Sequence, residues 1–257
     1  MQNNRPLILI TNDDGYLAPG ISHLTEVAMK YGDVLVVAPM EGQSGMSHAV
    51  TMTEPLRLKH VSQKPGLDIY ACSGKPVDAV KIALNQILDR KPDLLLSGIN
   101  HGSNSSVSLF YSGTVGAAIE GCMNGIDSIA LSVDDHSIDA DFRLAVQFID
   151  PIIREALKNG LPQKTCLNIN FPKINPEDCK GIKVCRQTNG VWKEEFEHRK
   201  DPQGKDYYWL TGYFTNEEPL EEDTDDYLLQ HNYAAIVPVK VDVTDYEAME
   251  SIRKWEI

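Results

Sequence analysis

The chain predicts an α/β fold, a mostly parallel sheet flanked by helices, and two observations carry that prediction. Apolar runs of strand length alternate with segments of helical periodicity through the first half, the pattern of a parallel sheet covered on both faces. Polar, glycine-rich clusters follow those runs, and the carboxyl ends of strands in open α/β sheets are where ligands are held. With 257 residues, 42% of them hydrophobic, there is material for one sizeable core.

Leu7-Ile8-Leu9-Ile10 reads as the first buried strand and runs into Asn12-Asp13-Asp14-Gly15. Ile21, Leu24, Val27, Ala28 and Tyr31 then recur at helical spacing before Gly32, a helix stop, and Val34-Leu35-Val36-Val37-Ala38 resumes as a strand ended by Pro39. Residues 50–58 alternate apolar with polar and Leu67-Asp68-Ile69-Tyr70-Ala71 follows, which predicts a hairpin between Ser44 and Ser73. Pro76 opens a helix carrying Val77, Val80, Leu84, Ile87 and Leu88. Asp93-Leu94-Leu95-Leu96-Ser97 is a further core strand that delivers the chain to the polar segment 98–116. A helix with Val115, Ala118, Ile119 and Cys122 comes next, then a strand at 128–133, a helical pattern over 142–157 interrupted at Pro151, and a strand from Cys166 to Phe171 stopped by Pro172.

From Gly181 the alternation ceases. Within a single domain, 1–257, the sequence divides into a core of about 5–180 and 233–245 and an extended β-hairpin arm of about 181–232. The arm's apolar residues need a partner surface, the core or another subunit. Residues 217–226 read as an acidic, solvated loop, with Thr224 suited to cap a helix whose first turn holds Asp225 and Asp226. Ala234 to Val239 returns as a strand, and Tyr246, Met249, Ile252 and Trp255 predict a docked terminal helix over about 245–257.

The formal charge of −13 argues against nucleic-acid polymers and anionic membrane surfaces as partners, both of which call for basic patches. No apolar stretch reaches the length of a membrane span, and residues 1–6 lead into no signal-peptide pattern. The five cysteines are odd in number, scattered and without a Cys-x-x-Cys pair, which reads as small buried residues of a cytoplasmic protein.

Three polar clusters therefore share one sheet edge: Asp13-Asp14, Gly42-Gln43-Ser44-Gly45-Met46-Ser47, and Gly98-Ile99-Asn100-His101-Gly102. Two carboxylates, a hydroxyl and an amide are hard oxygen donors suited to Mg²⁺, Mn²⁺ or Ca²⁺. Tyr111-Ser112-Gly113-Thr114-Val115-Gly116 places small residues at a helix start, whose N–H groups can hold phosphate without net positive charge. Each cluster also has a structural reading: an Asx turn at Asn12-Asp13, a turn at Ser44-Gly45, a tight connection at Asn100-His101-Gly102, a helix cap at Ser112 or Thr114. His48 and His101 are candidate proton donors beside a purely structural role, and Lys75 is a candidate phosphate contact beside an idle surface lysine. Both carboxylates can serve one metal only if the chain turns between Asp13 and Asp14, since side chains alternate along a strand.

Taken together, Ile10-Thr11-Asn12-Asp13-Asp14-Gly15 with Ala18-Pro19-Gly20, Ala38-Pro39 with Gln43-Ser44-Gly45-x-Ser47, Ser97-Gly98-Ile99-Asn100-x-Gly102-x-Asn104 and Tyr111-Ser112-Gly113-Thr114-Val115-Gly116 resemble the survival protein SurE family, in order and spacing. The resemblance is dense from residue 7 to about 135 and continues through Asn168-Ile169-Asn170 and Thr224-Asp225. It implies a Rossmann-like core and a metal-dependent nucleotidase acting on nucleoside 5′- and 3′-monophosphates, in some members also on polyphosphate. It also implies one divalent ion held by Asp13, Asp14, Ser44 and Asn100. Asp13 and Asp14 are the candidate catalytic residues, their division between metal ligand and proton handling left open, and Ser44, Gly45, Asn100, Ser112, Gly113 and Thr114 are the candidates to face phosphate. Homodimers or homotetramers with exchanged C-terminal segments are the implied assembly. Ser105-Ser106-Val107-Ser108, Lys75 and Asn232 depart from the family pattern, the first in a loop that bears on substrate range. A competing reading is a non-hydrolytic Mg²⁺-binding receiver domain, which also has an acidic pair after its first strand; there the phospho-accepting aspartate should end a later strand, whereas residues 34–38 run into Pro39.

Overall fold

The computed structural model describes residues 5–255. In chain order its strands and helices are β1 (Leu7–Thr11), α1 (Pro19–Ala28), β2 (Asp33–Pro39), β3 (Leu58–Lys64), β4 (Leu67–Cys72), α2 (Pro76–Ile82), β5 (Leu94–His101), α3 (Gly113–Met123), β6 (Asp127–Val133), α4 (Arg143–Asn159), β7 (Thr165–Phe171), β8 (Ile182–Val184), β9 (Gly190–Lys193), β10 (Phe196–Lys200), β11 (Asp206–Leu210), β12 (Tyr213–Asn216), α5 (Asp225–Gln230), β13 (Ala234–Lys240) and α6 (Tyr246–Ile252).

Nine strands form one sheet in the order β3-β4-β2-β1-β5-β6-β7-β13-β8. From β4 to β7 the neighbours are parallel, while β3 and β13 run antiparallel to β4 and β7. Ile8, Leu9 and Ile10 of β1 and Leu94, Leu95 and Leu96 of β5 are fully buried, because helices cover both faces. Contacts of α1 with α4 lie on one side and of α2 with α3 on the other. The chain winds outward from β1 in one direction through β2 and β4 and in the other through β5, β6 and β7. The β1/β5 boundary is thus the switch point of the sheet, where open α/β folds form their crevice.

Several expectations are corrected. The hairpin begins at Leu58, and residues 50–57 are not a strand. There the Thr51 N–H and hydroxyl both donate to Asp78, at 3.0 and 2.6 Å, which takes this residue out of a ladder. The helix expected to break at Pro151 runs through it as α4. Proline costs one ladder bond, but buried Ile149, Ile153 and Ala156 hold the helix to the sheet. The arm is shorter than 181–232: β8 is an edge strand pairing with β13, and α5 packs on β13 and β7. What remains apart from the main sheet is two ribbons, β9 with β12 and β10 with β11. Thr224 and Asp225 are fully buried rather than solvated, and the Thr224 hydroxyl donates to the Glu221 carbonyl at 2.9 Å instead of capping α5.

The described cysteines are free, three of them buried. Burial pushes the Cys166 thiol up to about 12. Among the described residues no helix is long and apolar enough to cross a membrane. The amino-terminal residues 1–4 and the last two of the expected terminal helix lie outside the described residues.

Candidate active site

The chain turns directly after β1, and Asn12 makes the turn. Its amide donates to the Gly15 carbonyl at 2.9 Å while its carbonyl oxygen accepts the Gly15 N–H at 3.2 Å, with Gly15 at φ 99°. Turn and acidic pair coexist, since Asn12 supplies the turn chemistry and frees the two aspartates. Their side chains diverge. Asp13 is buried and accepts a short hydrogen bond from the Thr114 hydroxyl. A Cβ at Gly113 would lie 3.0 Å from the Asp13 Cβ and Oδ2, so glycine is what lets the start of α3 approach the carboxylate. Asp14 accepts the His101 N–H from β5 at 3.1 Å.

Burial pushes the Asp13 carboxyl up to about 6, with Asp14 adding to the rise and the Thr114 hydrogen bonds opposing it. Asp14 is also raised by burial, opposed by the His101 N–H and by His101 and His136 nearby. Among the described residues neither carboxylate forms an ion pair with lysine or arginine. Nor is any group of three or more His, Cys, Asp or Glu placed to hold a metal. The donor set is two carboxylates with neutral oxygens nearby, which fits a hard divalent cation keeping several waters and does not fit a thiolate or imidazole zinc centre.

The other candidates fall around this pair. The Gln43 N–H donates to the Asp13 carbonyl at 2.6 Å, bringing the loop after β2 to the acids, although Ser44 and Gly45 themselves are exposed. That loop is seated on α3: Ser47 bonds the Phe110 and Tyr111 carbonyls, and His48 pairs with Glu120 at 3.0 Å. Asn100 is buried beside His101, its amide donating to the Gly102 carbonyl at 2.7 Å. Ser112 takes the cap role, accepting from the Val115 N–H at 3.0 Å. His101 bonds the Ser137 carbonyl at 3.0 Å and meets Phe142 edge-on, and Lys75 reaches the Val50 carbonyl at 3.4 Å. Both histidines thus have structural partners.

Of the residues that hold these loops, Asn104 and Asp225 stood in the family motifs without an assigned role, and Glu120 was not singled out. Glu120 is buried and takes hydrogen bonds from His48, Lys81 and Asn124. Its signal was a lone charge in Ala117-Ala118-Ile119-Glu120-Gly121-Cys122. Asn104 is locked by Asn170, Ser132 and Asn168, each at 2.8 Å. Asp225 accepts from Ser106, Thr188 and Asp226 backbone N–H groups and from the Thr188 hydroxyl.

A doubly wound sheet with a paired-acid site at its switch point, faced by a helix start, defines an α/β protein with a Rossmann-like core and its candidate site on the carboxyl edge of the parallel strands. Residues 8–194 match the model of the family described as "Survival protein SurE". A protein called 5′-nucleotidase SurE from Flavobacterium psychrophilum is 49% identical over 255 residues, spanning 99% of each chain. One of the same name from Flavobacterium johnsoniae is 50% identical over 258 residues, 100% of this chain and 99% of its own. The crystal structure of the SurE protein from Aquifex aeolicus superposes with a TM-score of 0.83 at 38% identity, over 96% of this chain and 98% of that one. The chain belongs to the survival protein SurE family, and the receiver-domain reading falls away.

Proposed function

We propose that this chain is a cytoplasmic, metal-dependent phosphomonoesterase that hydrolyses nucleoside 5′- and 3′-monophosphates to nucleoside and phosphate, with polyphosphate as a further substrate. The observation that carries the reading is the meeting of Asp13 and Asp14 with the start of α3 at the β1/β5 switch point. Asp13, Asp14, Ser44 and Asn100 are the residues that would hold one divalent ion, Mg²⁺ or Mn²⁺. When bound, the ion supplies a Lewis acid for a phosphoryl oxygen and a more acidic water.

The protein's own contribution is placement. Thr114 fixes the Asp13 carboxylate, and the His101 N–H fixes that of Asp14, so the two acids are held by separate elements, α3 and β5. Ser44, Gly45, Asn100, Ser112 and the first-turn N–H groups of Gly113 and Thr114 orient the phosphoryl group for in-line attack, where catalysis rests on positioning and charge stabilisation. The assembly is a homodimer or homotetramer in which C-terminal segments are exchanged, with the exposed aromatics of β10 and β11 such as Phe196, Tyr208 and Trp209 covered by a neighbour.

Phosphate release from nucleoside monophosphates with Mg²⁺, Mn²⁺ and chelator tests the reading. Asp13→Asn and Asp14→Asn abolish release, and chelation does so reversibly. Undiminished turnover after exhaustive chelation would sink the metal mechanism.

A further inference from the structure

A cavity of about 490 Å³ opens at the same sheet edge, between the loop after β5, the turn after β6, α5 and the base of the arm. Ser103, His136, Trp192, Phe214, Asp226 and Gln230 are among its walls. None of them belongs to the acidic site, yet the two sites share a backbone. The His101 N–H donates to Asp14, Gly102 lies so close to His136 that any Cβ there would overlap the imidazole, and Ser103 lines the cavity. A second connection runs through Trp192, which also borders a hollow with Tyr111, the residue before Ser112.

The walls divide by chemistry. Trp192 and Phe214 are directly opposed in the β9–β12 ladder, with ring centroids 6.2 Å apart, edge to face, a firm aromatic surface that stays open to solvent at Trp192. In the same lining, Asp226 is held by the amides of Asn216 and Gln230, both at 2.8 Å on one carboxylate oxygen. A flat aromatic face beside a preset carboxylate and amide is what recognition of a heterocycle needs: stacking supplies affinity and the polar edge supplies choice. The volume is within the range of small-ligand pockets.

Resting on the phosphomonoesterase reading above, we propose that this cavity takes the nucleoside half of the substrate, with the base against Trp192 and its edge read by Asp226 and Gln230. The acceptor-rich edge selects bases that present N–H donors. Guanine, which offers adjacent N1–H and 2-amino donors to the Asp226 carboxylate, whose Oδ1 carries neither of the two amide hydrogen bonds, is favoured, and uracil, whose single N3–H is flanked by two carbonyls, is disfavoured. Ser103 and Ser105, joined by a 3.0 Å hydrogen bond, line the side of the cavity nearest the acidic site, and Ser105 opens the segment where this chain departs from the family pattern.

The test compares wild type with Trp192→Ala, Trp192→Phe, Asp226→Asn and Gln230→Leu on GMP, UMP and ribose 5-phosphate, and titrates each protein with guanosine while following tryptophan fluorescence. Expected are a roughly tenfold fall in the GMP to ribose 5-phosphate ratio of kcat/KM for Trp192→Ala, expressed in KM and restored by phenylalanine. The GMP to UMP ratio is expected to fall by about tenfold in Asp226→Asn and Gln230→Leu. Unchanged ratios together with guanosine quenching that survives Trp192→Ala would overturn the assignment. Should wild type release no phosphate from any ester while guanosine still quenches Trp192, the cavity assignment stands and the phosphomonoesterase reading falls.

Discussion

The Thr114 hydroxyl donates to the Asp13 carboxylate, tying the first turn of α3 to the tip of β1 across 101 residues of chain. Neither residue needs the other for its own element. Asp13 lies in a bend and Thr114 in a helix start already capped by Ser112. Their bond sets how the helix N-terminus and the acidic pair face each other, and so the geometry of the proposed phosphate and cation sites.

Removing that bond separates placement from charge. Thr114→Val keeps the shape but leaves a buried carboxylate without its hydroxyl donor; hydrogen bonds to charged groups contribute about 1.5–3 kcal/mol. Steady-state assays are expected to show kcat/KM for a nucleoside monophosphate down by roughly 10- to 100-fold. Thr114→Ser restores most of it. Equal activity in all three proteins would mean that the contact is incidental.

Gly116 sets the height of the loop that carries Ser44. A Cβ there would lie 2.6 Å from the Ser47 carbonyl, so Gly116→Ala lifts residues 44–48 away from Asp13. The expected result is a weaker Mn²⁺ requirement curve, with the activating concentration raised about tenfold, and a modest stability cost of about 1–2 kcal/mol. Metal titrations of activity and thermal melts measure the two effects separately.

The fold was legible because both faces of the sheet are covered, so β1, β2 and β5 appear as unbroken apolar runs, and the candidate site stood out because its polar clusters sit where those runs end. What was hidden was tertiary. Residues 50–57 alternate like a strand, but Asp78 competes for the Thr51 donors. The acidic run 217–226 looks solvated, yet one carboxylate in it turns inward to four donors that come from Ser106, Thr188 and Asp226, and two of those residues are remote in sequence. Composition cannot distinguish that aspartate from its solvated neighbours.

Asp225 therefore gives a sharp prediction. Asparagine at this position presents an NH₂ group to the Ser106 N–H or to Thr188, replacing an acceptor with a donor in a fully buried site. Asp225→Asn is expected to cost about 2–4 kcal/mol, the penalty of buried polar groups left unpaired. Hydrogen exchange should report the damage at residues 103–108 and 186–188, with the Asp13 turn protected as before. Uniform loss of protection would instead indicate global unfolding.

Glu120 supplies the pH dependence. Burial raises its carboxyl pKa, but hydrogen bonds from Lys81 and His48 outweigh that and hold the group below the usual glutamate value. With the folded pKa below the unfolded one, the folded state binds the proton less readily, so the contribution is complete above the unfolded value, near 4.5, and is lost as pH falls through the folded value. Glu120→Gln should therefore lower Tm most at pH 7, by an amount equivalent to about 1–3 kcal/mol, and the gap to wild type should narrow on acidification to pH 3.5. Because Glu120 anchors His48 at 3.0 Å and His48 belongs to the loop seated by Gly116, the same variant should also raise the Mn²⁺ concentration needed for activity at pH 7. A deficit in Tm that stays constant from pH 7 to 3.5 would show that the carboxylate contributes shape and not charge.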